Sequence, residues 1–276
     1  MGSVKFLNRR FGLGGGLFNH FDGSIDLLDD LDDHYTARTH KKERAELMVQ
    51  LQQVAAEFSV RITILGGDVH LAALGRFYSN PDLQIPAEED HRYMVNVISS
   101  AIVNEPPPQA VANLLARRNK IHHMNHKTDE TLLNLFNKDP GDSNKTANHN
   151  HCTMPSRNFA TITENSPNSA SANGGAEAPL DGEAQTFVGN DGHSILHKGE
   201  VEAGTTHKAA ALGTHGAGND GTLDVCINVE TNQHDPEGRT EMYGLTIPLL
   251  KCVKREEPKT PRAMAAPAPA DTTGEQ

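Results

Sequence analysis

Asp68 and His70 stand two residues apart in Gly67-Asp68-Val69-His70, directly after a β-branched run and a pair of glycines. An anionic oxygen and a neutral imidazole nitrogen at that spacing suit a hard or borderline metal ion, and open α/β sheets gather ligands at strand C-terminal ends. The same tetrapeptide also reads as a turn aspartate beside a buried, hydrogen-bonded histidine. Spacing alone leaves both readings open. The cluster Asp29, Asp30, Asp32, Asp33 and His34 is first of all solvated charge and local capping before a helix. Its sharper reading puts Asp32, Asp33 or His34 beside the site, touching a ligand or the substrate. Arg157, next to Asn158 at a strand start, could fork onto a phosphate or form a salt bridge. His122 and His126 would lie one turn apart on a helix, with His149 and His151 nearby, but neither pair has a thiolate or a zincin glutamate. Gly12 to Gly16 lacks the following residues of a nucleotide-binding loop and reads as a plain turn.

Positioning Asp68 and His70 requires the elements around them. Residues 37–59 predict a helix, with Leu47, Leu51, Val54, Ala55 and Phe58 on its apolar face. Val60-Arg61-Ile62-Thr63-Ile64-Leu65 alternates and predicts a strand ending at the motif. Further strands are expected over 71–78 and 93–98, then a helix over 109–118 opened by Pro106, Pro107 and Pro108. A short helix over 129–136 and a strand over 159–163 follow. Leu223, Val225, Ile227 and Val229 alternate with polar residues, as Tyr243, Leu245, Ile247 and Leu249 do, predicting a hairpin with a type I turn at Asp235-Pro236-Glu237-Gly238.

Composition limits the rest. Only 36% of the 276 residues are hydrophobic and the mean hydropathy is −0.53, so part of the chain is expected not to pack. Residues 165–221, rich in Gly, Ala, Ser and Asn, read as a disordered insertion in which His193, His197, His207 and His215 lack fixed geometry. Residues 254–276 read as a tail. The division is therefore 1–164, the insertion 165–221, a completing hairpin at 222–253, and the tail. A net charge of −11 argues against nucleic acid as a partner. Cys152, Cys226 and Cys252 form no disulfide framework. With no apolar run long enough for a signal peptide or a membrane span, a cytoplasmic location is expected, with peripheral membrane association left open.

The stretch Ile64-Leu65-Gly66-Gly67-Asp68-Val69-His70-Leu71-Ala72 resembles the last metal-binding motif of PhoD-like phosphatases. Asp29 to Tyr35, followed by Glu43-Arg44, resembles the acidic-aromatic segment that precedes the helix leading into that motif. The fungal PhoD-related subgroup is closer still, through Phe11-Gly12-Leu13-Gly14-Gly15-Gly16-Leu17-Phe18-Asn19-His20, Asn104-Glu105-Pro106-Pro107-Pro108 and Met154-Pro155-Ser156-Arg157-Asn158-Phe159. The resemblance implies an α/β fold, part of a calcineurin-like metallophosphoesterase α/β/β/α sandwich. It also implies phosphomonoester or phosphodiester hydrolysis with two divalent or trivalent cations (Fe, Ca, Mn or Zn), which activate a bridging water. Asp68 and His70 would then be metal ligands at the catalytic centre. The family's earlier ligand motifs are not recognisable between Met1 and Asp33, so the chain is expected to be truncated on that side, with an incomplete metal site and no activity alone. A phosphatase-like interaction module without catalysis is the competing expectation.

Overall fold

A computed structural model describes residues 35, 38–67, 70–100, 102–103, 106–107, 109–117, 119–139, 142–146, 150–168 and 196–251. Helix α1, Lys41–Phe58, leads through a left-handed Ser59 towards strand β1, Thr63–Gly66. Strands β2 (Ala72–Ser79) and β3 (Met94–Ser99), helix α2 (Gln109–Ala116), and strands β4 (His122–His123) and β5 (Thr128–Leu132) follow. These five strands form one sheet in the order β1-β3-β2-β5-β4. Only β1 and β3 run parallel; the other pairs are antiparallel. After a small ribbon of β6 (Lys138–Asp139) and β7 (Asp142–Thr146), strands β8 (Asn158–Glu164), β9 (Leu223–Glu230) and β10 (Thr240–Ile247) build a second, antiparallel sheet in the order β10-β9-β8.

The two faces of the larger sheet have different partners, as the two-residue side-chain period of a strand requires. Phe77 and Met94 pack with Met48 of α1, flanked by Leu51, Ile62, Ile64 and Met124. Arg44 lies over the Phe77 ring and pairs with Glu130 on β5, tying α1 to the sheet. On the opposite face Leu74, Tyr78, Val95 and Val97 join Val225, Ile227, Val229, Tyr243, Leu245 and Ile247 of the second sheet in the main core. The architecture is mixed α/β, a helix on a sheet on a sheet.

The hairpin forms as its alternation requires, with Leu223 opposite Ile247 and Gly238 N–H donating to Asp235 C=O across the turn. Three expectations are corrected. The 129–136 helix is instead strand β5, because Thr128 to Leu132 is held between β2 and β4; the spacing of Leu132, Leu133, Leu135 and Phe136 only imitates a helical face. Within α1 the buried residues are Met48, Gln52 and Ala55, whereas Leu47, Val54 and Phe58 are exposed, so the helix is rotated from the expected face. The disorder expected over 165–221 does not hold for residues 165–168 and 196–221. There Asn165, Glu200, Ala209 and Ala210 are buried. Polar anchoring and close backbone approach, rather than apolar periodicity, hold this segment. Gly244 on β10 has no room for a side chain, since a Cβ would come 2.9 Å from Ala210 N. Asp224 accepts from Gly216 N–H and from Thr246 Oγ1 on the same outer face of the second sheet. That cover explains why β9, expected to be half-buried, is buried on both faces.

A buried ion-pair network locks the same segment into the sandwich. Arg76, on the inner face of β2, places Nε 3.1 Å from Glu200 Oε1. Tyr93 Oη donates to the same oxygen at 2.9 Å, and His197 N–H donates to Oε2 at 2.8 Å. The His197 ring packs against both Tyr78 and Tyr93. Burial alone would raise the Glu200 pKa, but Arg76 and His197 outweigh it and hold the carboxyl below its ordinary value.

Candidate functional site at the β1 and β3 strand ends

Parallel pairing puts the C-termini of β1 and β3 side by side, with Gly66 opposite Ile98. Antiparallel β2 starts at the same rim, Ala72 opposite Ser99. Gly67 and His70 therefore both lie at the carboxyl ends of the parallel pair β1 and β3, where α/β sheets place ligands. Gly67 lies directly on the end of β3, where a Cβ would stand 3.7 Å from Ser100 Cβ. Among the described residues here, His70 is left-handed, at φ 54°, and neither Gly66 nor Gly67 is. A non-glycine residue in that region carries backbone strain and persists where its surroundings fix it, which is common at functional sites. His70 is half-buried, and Leu71 and Ala72 after it are fully buried.

The far side of the turn is held by the second sheet's approach. Ala72 and Met154 form a two-way bridge, Ala72 N–H donating to Met154 C=O at 2.9 Å and Met154 N–H to Ala72 C=O at 2.8 Å. Four residues on, Asn158 opens β8 with its side chain turned to the end of β3. Its Nδ2 donates to Ser100 C=O at 2.5 Å and to Ser156 C=O at 2.8 Å, while Oδ1 accepts from Ser99 Oγ at 2.8 Å.

Asp68 lies outside the described residues, as do Asp32, Asp33 and His34. Arg157 is described, and its Nη1 lies 3.4 Å from Glu230 Oε1, an ion pair between β8 and β9 rather than a free phosphate fork. His122 belongs to strand β4, so the helical pairing of His122 with His126 does not form. His123 Nδ1 instead meets Asp129 Oδ1 at 2.6 Å, and His151 Nδ1 donates to Phe136 C=O. His197, His207 and His215 have fixed partners after all: His207 Nδ1 accepts from Ala209 N–H, and His215 bridges Ala209 C=O and Thr163 Oγ1. Burial pushes the Cys152 thiol up to about 11, so it is no nucleophile at neutral pH. Sequence reasoning noted Asn158 only beside Arg157 at a strand start and in the family-like run from Met154 to Phe159, and gave its carboxamide no role of its own.

The family description "PhoD related phosphatase" matches residues 2–206, about three quarters of the chain. The chain belongs to the PhoD related phosphatase family. The match runs across the Gly67 to His70 turn and ends before β9. An uncharacterized protein of Saccharomyces cerevisiae, YGR266W, is 40% identical over 175 residues, covering 58% of this chain and 25% of the yeast protein. The chain thus spans about a quarter of the length of that curated relative. No solved structure matches. For a PhoD related phosphatase the donor chemistry of His70 suits one position at a metal. Among the described residues, however, no three His, Cys, Asp or Glu side chains group to hold an ion. Among those residues, too, no helix is long and apolar enough to cross a membrane.

Proposed function

We propose that this chain contributes the Asp68 and His70 ligands to a metal-dependent phosphoester hydrolase of the calcineurin-like class, with His70 held at the strand-end rim. Phosphomonoesters or phosphodiesters are its substrates. The observation that carries this reading is the strained His70 turn at the carboxyl ends of β1 and β3, inside the family match. A bound metal would polarise the phosphoryl group and supply hydroxide near neutral pH. The chain's own part is to hold the His70 imidazole at a fixed strand end, with the burial of Leu71 and Ala72 restricting its movement. The helix-sheet-sheet layering is compatible with three of the four layers of a calcineurin-like sandwich.

A second reading is a phosphatase-like module without catalysis, in which His70 holds its place at the rim without a metal. Mn2+ titration combined with hydrolysis of bis-p-nitrophenyl phosphate separates the two. Two bound ions per chain, with turnover lost in Asp68→Asn and His70→Ala, would support the hydrolase. Turnover that survives both substitutions would sink the assignment of these residues. A chain that binds Mn2+ through Asp68 and His70 without turnover would favour the non-catalytic module.

A further inference from the structure

The backbone beside Gly67 and the backbone after His70 are each braced, and both braces run through one short segment, residues 154–158. On one side Met154 is bridged to Ala72, two residues after His70. On the other Asn158 holds Ser99 and Ser100, the backbone against which Gly67 packs. Asn158 also returns to Ser156 C=O, so its carboxamide closes the segment on itself while it grips β3. The side chain is 4% exposed and uses both amide protons and its carbonyl oxygen. Among the described residues it is the side chain that joins the start of the second sheet to the end of β3 at this rim.

We propose that Asn158 is a positioning residue for the His70 site: it sets the spacing between the end of β3 and the residue 154–158 segment, and through both fixes where Gly67 and His70 stand relative to each other. The role rests on the functional reading above, because a fixed imidazole matters only if His70 binds a ligand. The donor pattern makes Asn158 irreplaceable by its isostere. Two carbonyl oxygens face Nδ2, so aspartate of the same shape would set a carboxylate oxygen against both. The neighbouring Arg157 has no such part, being paired with Glu230.

The test compares Asn158→Asp with Asn165→Ala in the full chain. Asn165 is buried at the other end of β8, where it bonds Thr222 Oγ1 and Gly218 N–H, so its loss weakens the same strand without touching the rim. Hydrogen exchange at the Ala72 and Met154 amides reports the brace directly, and Mn2+ titration reports the site. In Asn158→Asp those two amides are expected to exchange about tenfold faster or more while the β9 and β10 amides keep their protection. Mn2+ affinity should fall by about tenfold or more, the usual effect of removing a group that orients a ligand. Asn165→Ala should lower the melting temperature and leave both readouts at the parent value. Equal exchange and equal Mn2+ affinity in the two variants would overturn the positioning role. A parent chain that binds no Mn2+, with the Ala72 and Met154 amides still opened in Asn158→Asp, would uphold the brace and overturn the metal reading instead.

Discussion

Replacing Glu200 by Gln removes one charge from the middle of the sandwich and leaves Arg76 facing a neutral amide. The side chains of Arg76 and Glu200 are 2% and 1% exposed, so water cannot take over the lost interaction. Breaking a buried pair on one side costs about 3–5 kcal/mol, because the remaining charge stays desolvated. Set against a total stability of roughly 5–15 kcal/mol, that is a large share. Glu200→Gln is therefore expected to lower the urea midpoint steeply at an unchanged slope. Arg76→Met combined with Glu200→Leu should cost at least about 2 kcal/mol less than the two single changes summed, since apolar replacements of both partners leave no orphaned charge. Acid should act on the same contact. The folded pKa of Glu200 is depressed, so its contribution is present above the unfolded carboxyl pKa and fades as pH falls through the folded value. The midpoint of the parent should thus fall with pH below the ordinary carboxylate range more steeply than that of Glu200→Gln. Simple additivity in the double variant, or a Glu200→Gln cost below about 1 kcal/mol, would refute the view that this pair pins residues 196–201 to the core.

Two further outcomes are expected. Gly199→Ala forces a Cβ to within 1.9 Å of Thr246 C=O at a φ of 88°, so it should be among the most damaging single substitutions and lower the melting temperature sharply; a near-neutral result would contradict the close approach of this loop to β10. His70→Gly and His70→Val should both abolish Mn2+ binding, yet only Val should destabilise, by about 1–2 kcal/mol relative to Gly, because a β-branched residue resists the left-handed turn. Equal melting temperatures for the pair would mean that the turn is not strained.

Alternation made the sheets legible before any geometry. Val225, Ile227 and Val229 and their partners across the hairpin could face only one way, and β2 and β3 followed within one residue of their expected limits. The strand-end position of His70 was legible too, from the β-branched run before it. What could not be read were elements held by tertiary partners. Thr128 to Leu132 became a strand through pairing on both edges, against a helical spacing of leucines. Glu200 gave no local sign that it would be buried, because two of its partners, Arg76 and Tyr93, lie more than a hundred residues away in the chain and only His197 is near in sequence. Asn158 was equally silent, since a carboxamide that satisfies three backbone and hydroxyl groups has the same letter as one in a loop.

The order of the second sheet also bears on how the chain assembles. β9 pairs with β10 across a short turn but with β8 across residues 165–222, 58 positions in all. Closing a loop of that length carries an entropic cost of about 3.6 kcal/mol beyond the constant term, whereas the hairpin loop after Glu230 costs about half as much. The β9-β10 hairpin is thus the local pairing of this sheet and β8 its distant one. In the folded chain that hairpin shares one core with Val95 and Val97, and Thr246 N–H on β10 donates to Gly199 C=O at 2.9 Å, so the strand that closes the core also holds the residue next to Glu200, whose carboxylate is buried with Arg76.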